Sequence, residues 1–215
     1  MWEPRSLNMK SLLVLLALGP LALVSTAQWQ VNPQLGITYQ NITKPPEGIT
    51  YSARVGFLLG ADARWGNKFY LQPGAFLGRN STFVEFQDTL AQSGRIVVTD
   101  LKLKLMGGYR IIDTYQFDMR LAMGPTFDAS LSRDVKDSDI TFNDGAFNEA
   151  LWNLDVALGF DFGRFTAEPS VSLGLSRVYN DDVSVQNLDS KYLTYLFTLG
   201  VNIGDDDKDA VDKNN

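Results

Sequence analysis

The chain has 215 residues, which fits one domain, and it contains neither cysteine nor histidine. Disulfides, thiol nucleophiles and Cys-ligated metals are therefore excluded, and the commonest general base and metal ligand is missing. The formal net charge of −6 argues against nucleic acid as a partner, because no basic stripe is available.

The first element in chain order is an apolar run over residues 11–27, preceded by Arg5 and Lys10. The run ends in Ser25-Thr26-Ala27, small residues that suit signal-peptidase cleavage before Gln28. These features predict a cleaved signal peptide over residues 1–27, with an uncleaved anchor as the alternative. Two methionines are candidate starts, Met1 and Met9.

The remainder of the chain alternates between apolar and polar residues with a period of two, which predicts β-strands with two different faces. In residues 51–65, for example, Val55, Phe57 and Leu59 fall on one face, and Arg54 and Asp62 fall on the other. Eight segments show this pattern: 35–40, 51–65, 69–78, 97–110, 117–128, 152–162, 165–176 and 193–203. No other stretch reaches the ~18 apolar residues of a membrane helix.

The connections between these segments alternate in length. Three are short, at residues 65–68, 111–114 and 161–164, and four are long, at 41–50, 80–95, 133–150 and 179–191. Outer-membrane barrels have short periplasmic turns and long extracellular loops. We therefore predict an all-β fold, a single eight-stranded antiparallel up-and-down transmembrane β-barrel over residues 28–204.

The alternative is a soluble periplasmic barrel, which would place its apolar face inside around an apolar ligand. Glycine position favours the membrane barrel, because an eight-stranded interior is narrow and needs small residues. The glycines lie on the polar face: Gly36, Gly56, Gly60, Gly74, Gly78, Gly108, Gly124, Gly159, Gly174 and Gly200.

Aromatic residues cluster at the two ends of the predicted strands, as in the girdles of membrane barrels. The periplasmic ends carry Trp65, Phe69, Tyr109, Phe117, Phe160, Phe162 and Phe165. The outer ends carry Tyr39, Tyr51, Phe127, Trp152 and Tyr195. The placement predicts a lipid-spanning band between two aromatic rings.

The polar face predicts a charged lumen, and buried charges persist when they are paired and hydrogen-bonded. The predicted network contains Arg54, Asp62, Asp100, Lys102, Lys104, Asp118, Arg120, Asp128, Asp155, Asp161 and Glu168. We expect an internal salt-bridge plug, with a narrow ion path or a proton-coupled site as the alternative. Solute-scale conduction needs about sixteen strands. Without histidine the usual hydrolase triad cannot form, so we expect no enzyme, no cofactor and no metal.

The final residues, 205–215, carry an excess of aspartate and show no apolar period, which predicts a disordered acidic tail. The long loops are the predicted contact regions for protein partners, and outer-membrane lipid is the predicted surroundings of the band.

Several short motifs stand out at residues 56–61, 68–73, 101–104, 108–110, 124–125 and 158–164, with Leu71-Gln72-Pro73 the most specific. Together they resemble the motifs of the PorT-type outer-membrane β-barrel family of Bacteroidetes. The resemblance implies a small porin-like barrel of the cell outer membrane and supplies no catalytic residues. It also implies that one branch acts in type IX protein secretion. The chain departs from the family at its end, where Val201-Asn202-Ile203-Gly204 lacks the closing aromatic residue.

These observations predict a small outer-membrane barrel with a structural or interaction role at the cell surface. The alternatives are a component of secretion or surface-assembly machinery and the soluble ligand-binding barrel.

Overall fold

A computed structural model describes residues 29–45, 49–86, 93–114, 116–136, 147–180 and 189–204. The predicted signal peptide at 1–27 and the predicted tail at 205–215 lie outside the described residues. Within the described ranges, no helix is long and apolar enough to cross a membrane.

The structure is a closed antiparallel barrel, as predicted. The strands are β1 (Trp29–Thr43), β2 (Ile49–Gly66), β3 (Phe69–Phe86), β4 (Ser93–Asp113), β5 (Phe117–Lys136), β6 (Ala150–Phe162), β7 (Phe165–Gly174), β8 (Lys191–Val201) and β9 (Ile203–Gly204). Each strand pairs with its neighbours in the chain, and β1 pairs with both β2 and β8 to close the ring. The short β9 continues β8 beyond Asn202 and pairs with Gln30 and Val31 of β1. The barrel therefore has eight strands around the ring, and the eighth is divided into β8 and β9 by one interruption.

The outer face is apolar and the inner face is polar. Along β5 and β6, Leu121 opposes Leu158 on the outside, and the next pair, Ala122 and Ala157, points inward and is buried. Phe69 is 75% exposed and Phe165 is 68% exposed, whereas Arg64 and Arg120 are almost completely buried. This arrangement is the reverse of a soluble barrel, so the soluble alternative with an internal apolar cavity is wrong.

The aromatic side chains lie at both ends of the outer face. At the end with the short connections, the Phe69 and Tyr109 rings lie 4.9 Å apart and the Phe117 and Phe162 rings lie 5.2 Å apart. The same end of the barrel carries Trp65, Phe160 and Phe165. Ten residues up β5 from Phe117, the Phe127 ring contacts Trp152 at 5.1 Å. The distance along the strand between these two levels matches the ~9–11 residues that a tilted strand needs to span a bilayer.

The strands differ in length on the two sides of the barrel. Strands β2 to β5 have 18 to 21 residues, whereas β6 to β8 have 10 to 13. Because a bilayer needs only about 9–11 residues of a strand, the wall formed by β2 to β5 continues past the outer aromatic level. The predicted loop at 80–95 is thus mostly strand, with β3 running to Phe86 and β4 starting at Ser93.

Two adjacent glycines of β4 offer a matched test of interior packing. A methyl group on Gly108 would overlap the ring of Tyr70, which is buried against Met106 and Ala122. A methyl group on Gly107 would meet no heavy atom within 4 Å. We expect Gly108→Ala to lower the free energy of unfolding by about 1–3 kcal/mol through overpacking.

Gly107→Ala is the control and should be neutral or slightly stabilising, because glycine weakens a strand. Urea unfolding in lipid vesicles, followed by tryptophan fluorescence, measures both effects. Equal free energies for the two variants would show that the interior at Tyr70 is loose.

Candidate functional site

The most distinctive site is a group of charged side chains inside the barrel, near the end with the short connections. We call it the lower ion cluster. It is balanced, with three cations and three anions: Arg64, Lys104, Arg120, Asp62, Asp161 and Glu168.

Arg120 is the centre of the lower ion cluster and is 0% exposed. Its Nε and Nη2 donate to the two carboxylate oxygens of Asp161 at 2.8 and 3.2 Å. Its Nη1 donates to Glu168 Oε2 at 2.9 Å, and Nη2 also donates to Thr166 Oγ1 at 3.0 Å. The planar guanidinium thus joins β5 to β6 and β7 through two carboxylates, a geometry that lysine could not reproduce.

The remaining members extend the cluster across the lumen. Arg64 Nη1 of β2 donates to Asp161 Oδ2 at 2.8 Å. Lys104 Nζ of β4 lies 3.1 Å from Asp62 Oδ2 and 3.3 Å from Glu168 Oε1. Two amides, from Gln34 and Gln72, donate to the same Asp62 oxygen at 2.8 and 2.7 Å. Every charge in this cluster therefore has an opposite charge within ion-pair distance, which is the condition for burying it.

The position of Gly159 explains how Arg120 fits inside so narrow a barrel. Gly159 lies directly opposite Arg120 across the β5–β6 pairing. A side chain at Gly159 would overlap the Arg120 guanidinium. The glycine thus provides the space in which the arginine side chain turns toward Asp161 and Glu168.

A second group, the upper ion cluster, lies nearer the long connections. Lys102 Nζ is 3.2 Å from Asp128 Oδ1 and 3.4 Å from Asp155 Oδ2. Asn153 donates to Asp128 at 2.9 Å, and Asn80 donates to the third buried carboxylate, Asp100, at 3.3 Å. One lysine thus faces three aspartates, so this cluster has an acidic surplus that the lower ion cluster lacks.

An apolar cap lies above the upper ion cluster, where the long connections meet. It consists of Val84, Ile96, Phe147, Val178 and Tyr179, and the partly buried Tyr51, Val98 and Tyr192 pack against it. Backbone bonds join the connections: Asn148 N donates to Val178 O, and Val178 N donates to Ser190 O, both at 2.9 Å. Burial in this cap raises the pKa of Tyr179, whose hydroxyl is hydrogen-bonded to that of Tyr51.

An exposed ion pair borders the cap. Lys44 Nζ donates to Asp189 Oδ2 at 2.8 Å, and this hydrogen bond and the lysine charge lower the pKa of Asp189. The pair connects the β1–β2 connection to the start of β8 on the outer surface.

Most of the charged residues predicted for the lumen lie inside the barrel. The lower ion cluster contains Asp62, Lys104, Arg120, Asp161 and Glu168, and the upper ion cluster contains Asp100, Lys102, Asp128 and Asp155. Asp118 is buried at the lower end.

Arg54 is the exception, and its predicted place in the lumen is wrong. A register shift between Arg54 and Phe57 changes the phase of β2, so Arg54 lies on the outer face against the Phe83 ring. The alternation of the sequence predicted Tyr51 in the outer aromatic girdle. In the structure, the same register shift turns its side chain inward to the apolar cap.

Several interior residues were missing from the predicted network. Arg64 is two residues from Asp62 and therefore falls on the same face of the strand. That spacing would have predicted its place in the lumen. The amides of Gln34 and Gln72 were missed because uncharged polar residues give no pairing signal.

The cavities that the described residues form along the lumen are small. Three small cavities of about 10, 10 and 30 Å³ lie along the lumen, two bordered by the ion clusters and one beneath the cap. A cavity needs about 10–15 Å³ to hold one water. Among the described residues, no group of three or more Asp or Glu side chains could hold a metal ion.

A closed antiparallel barrel with an apolar outer face, a charged interior and aromatic residues at two levels is an integral outer-membrane β-barrel. The sequence agrees with the geometry, because the outer membrane protein beta-barrel domain family matches residues 24–180. The chain belongs to this family and resides in the outer membrane, in contact with the lipid bilayer. A search of curated proteins finds no significant match.

The chain is similar to several solved outer-membrane barrels at low sequence identity. OprG from Pseudomonas aeruginosa is 14% identical over 82% of this chain and 96% of its own, with a TM-score of 0.50. Neisserial surface protein A is 10% identical over 83% and 99%, with a TM-score of 0.48. The outer membrane enzyme PagL is 11% identical over 79% and 99%, with a TM-score of 0.44. The similarity to OprG establishes the fold alone.

Proposed function

We propose that the barrel is closed by its own side chains and acts as a structural or interaction protein at the cell surface, without catalysis. The observation that carries this proposal is the lower ion cluster, in which Arg120 is fully buried and paired with Asp161 and Glu168. A hydrated ion would have to break these pairs to pass. An eight-stranded interior is only just wide enough for the side chains themselves.

The absence of a conducting path can be tested directly. The folded protein, inserted into a planar lipid bilayer at neutral pH, should give no stable conductance steps, because the three lumen cavities described above hold about one to three waters each. A wide porin in the same bilayers is the positive control, and a heat-dependent shift in gel mobility verifies folding. Reproducible steps from the folded protein would contradict the closed lumen and favour the narrow ion path.

The interaction role is supported by the outer side of the molecule. The wall of β2 to β5 continues past the aromatic level, and the connections that carry Phe147 and Tyr179 are joined to each other over the mouth. Such a surface suits a protein partner better than a solute. Cross-linking of cysteines placed at exposed residues Lys44 and Asp189 on intact cells is the test, with Arg164 at the opposite end as the control.

The finer family assignment is also a proposal. The motif Leu71-Gln72-Pro73 supports the PorT-type branch of Bacteroidetes, and with it a second candidate role in protein secretion. Deletion of the gene followed by analysis of secreted proteins tests that role. Unchanged secretion would leave the structural role.

We also propose that residues 1–27 are an export signal removed in the mature protein and that 205–215 form a solvated acidic tail. The intact mass of the protein purified from outer membranes tests the first boundary, which predicts Gln28 as the new N-terminus.

A further inference from the structure

Near the upper edge of the apolar outer face lies an exposed arginine. Arg79 of β3 lies opposite Phe57 of β2 and Thr99 of β4, and its side chain is exposed. It is ten residues from the start of β3 at Phe69, just as Phe127 is ten residues from the start of β5 at Phe117. Arg79 therefore lies at the outer aromatic level, where the hydrocarbon of the outer leaflet gives way to headgroups.

Two further arginines lie on the same face above it. Arg54 lies opposite Ser81, two residues along β3 from Arg79, and its guanidinium is 5.6 Å from the centre of the Phe83 ring. Arg95 of β4 lies opposite Phe83 and is exposed. Arg54 and Arg79 are diagonal neighbours on adjacent strands, which are roughly 7–8 Å apart, so their guanidinium groups can reach a common anion.

The three arginines differ in the carboxylates that surround them among the described residues. Glu85 of β3 and Asp134 of β5 lie opposite Ser93 and Val97, so both are diagonal neighbours of Arg95 on this face and lie farther from Arg54 and Arg79. Within the described residues, no carboxylate lies within ion-pair distance of Arg54 or Arg79. Among the described residues, Arg54 and Arg79 thus present positive charge at headgroup depth that no carboxylate pairs with.

Directly below Arg79 the outer surface is indented. A groove of about 320 Å³ is lined by Leu35, Phe57, Leu59 and Leu77, with Arg79 and Thr99 at its upper end. Its apolar lining faces the hydrocarbon of the membrane. An acyl chain fits a groove of this character, and the guanidinium at its end fits the phosphate of the same molecule.

We propose that this groove and the arginines Arg54 and Arg79 form a site for one phosphorylated glycolipid of the lipid A type. The depth of Arg79 places the site in the outer leaflet. Two neighbouring guanidiniums above one groove match a wide sugar headgroup that carries phosphate better than they match a single phosphodiester. This inference rests on the outer-membrane location and is independent of whether the lumen conducts.

The test is native mass spectrometry of the full protein, purified from outer membranes in detergent and titrated with bis-phosphorylated lipid A. We expect a one-to-one complex. Arg54→Gln/Arg79→Gln should weaken it by at least about tenfold, because each guanidinium contributes a charge-assisted hydrogen bond to phosphate. Arg79→Gln alone should weaken it several-fold, and Leu77→Trp, which fills the groove, should also weaken it.

Arg164→Gln is the matched control, since Arg164 is an exposed arginine in the short β6–β7 turn at the opposite end. All variants change exposed residues, and a retained heat-dependent gel shift verifies their fold. Two lipids complete the design, dephosphorylated lipid A and phosphatidylglycerol, and both should bind at least about tenfold more weakly. The proposal is overturned if the double variant binds lipid A like the wild type, or if either lipid binds as tightly as phosphorylated lipid A.

Discussion

Replacing Arg120 by alanine is expected to lower the free energy of unfolding by about 3–5 kcal/mol, because it leaves buried carboxylates without their partner. Asp161 retains Arg64 and Glu168 retains Lys104, but both lose the hydrogen bonds that Arg120 donates at 2.8 to 3.2 Å. Arg120→Lys should recover only part of the loss, since an ammonium group cannot bridge two carboxylates in the same geometry. Urea unfolding in lipid vesicles measures these differences.

Two further variants separate the ion pair from general damage. Arg164→Ala removes an exposed arginine and should change the free energy of unfolding by less than about 0.5 kcal/mol. Arg120→Met combined with Glu168→Gln removes a charge of each sign and should be more stable than Arg120→Ala, because fewer charges are left unpaired. If Arg120→Ala unfolds like the wild type, the lower ion cluster does not stabilise the barrel.

A charge on the lipid face should be costly in a way that depends on depth. Leu121 of β5 is 45% exposed and lies between the aromatic levels of Phe117 and Phe127. Arginine near the bilayer midplane of a barrel costs roughly 2–4 kcal/mol. We therefore expect Leu121→Arg to lower the free energy of unfolding in vesicles by about that amount.

The same strand provides the control for that substitution. Leu131 is 58% exposed but lies four residues beyond Phe127, on the outer side of the aromatic level. Leu131→Arg should cost about 0–1 kcal/mol, because the new charge remains in water or among headgroups. Equal costs at both positions would mean that the membrane does not cover β5 where the aromatic residues indicate.

The strands between the two aromatic levels were predictable because their two faces have different environments, lipid outside and the packed polar lumen inside. In β6, lipid on one side and packed charges on the other give strict alternation from Trp152 to Phe162, and the structure has no irregularity there. The three short turns were predictable for the same reason, since each interrupts two strongly alternating runs. The eight-stranded closed fold follows from these local signals.

The extensions beyond the membrane were not predictable in this way. There β3 and β4 have water on the outer side, so the apolar period disappears, and residues 80–95 resemble a loop although most of them are paired. The β-bulges also leave no signal in the alternation of apolar and polar residues. The shift between Arg54 and Phe57 reverses the parity of the residues before it, which exchanged the predicted places of Arg54 and Tyr51.

The ion pairs inside the barrel could be predicted as a set but not as contacts. Arg64 and Asp161 are 97 positions apart in the chain, and nothing in either local segment specifies the other. Their meeting depends on the barrel's circumference and on the strand register, both of which are properties of the closed ring. The residues that line the lumen can therefore be predicted from each strand alone. Which of them form ion pairs is determined only when the ring closes.

The seam of the ring, where β1 pairs with β8, affects the kinetics of folding and unfolding. Thr43 and Lys191, which pair where β1 meets β8, are 148 positions apart, and Asn32 hydrogen-bonds to Asn202 across 170 positions. Bringing such distant segments together costs loop-closure entropy before any contact compensates for it, so the seam should form late in folding. Until then the charges of the lumen stay hydrated. Interactions absent from the transition state slow unfolding and leave the folding rate nearly unchanged. We therefore expect the most distant of the buried ion pairs, Arg64 with Asp161, to prolong the lifetime of the assembled protein more than it speeds assembly.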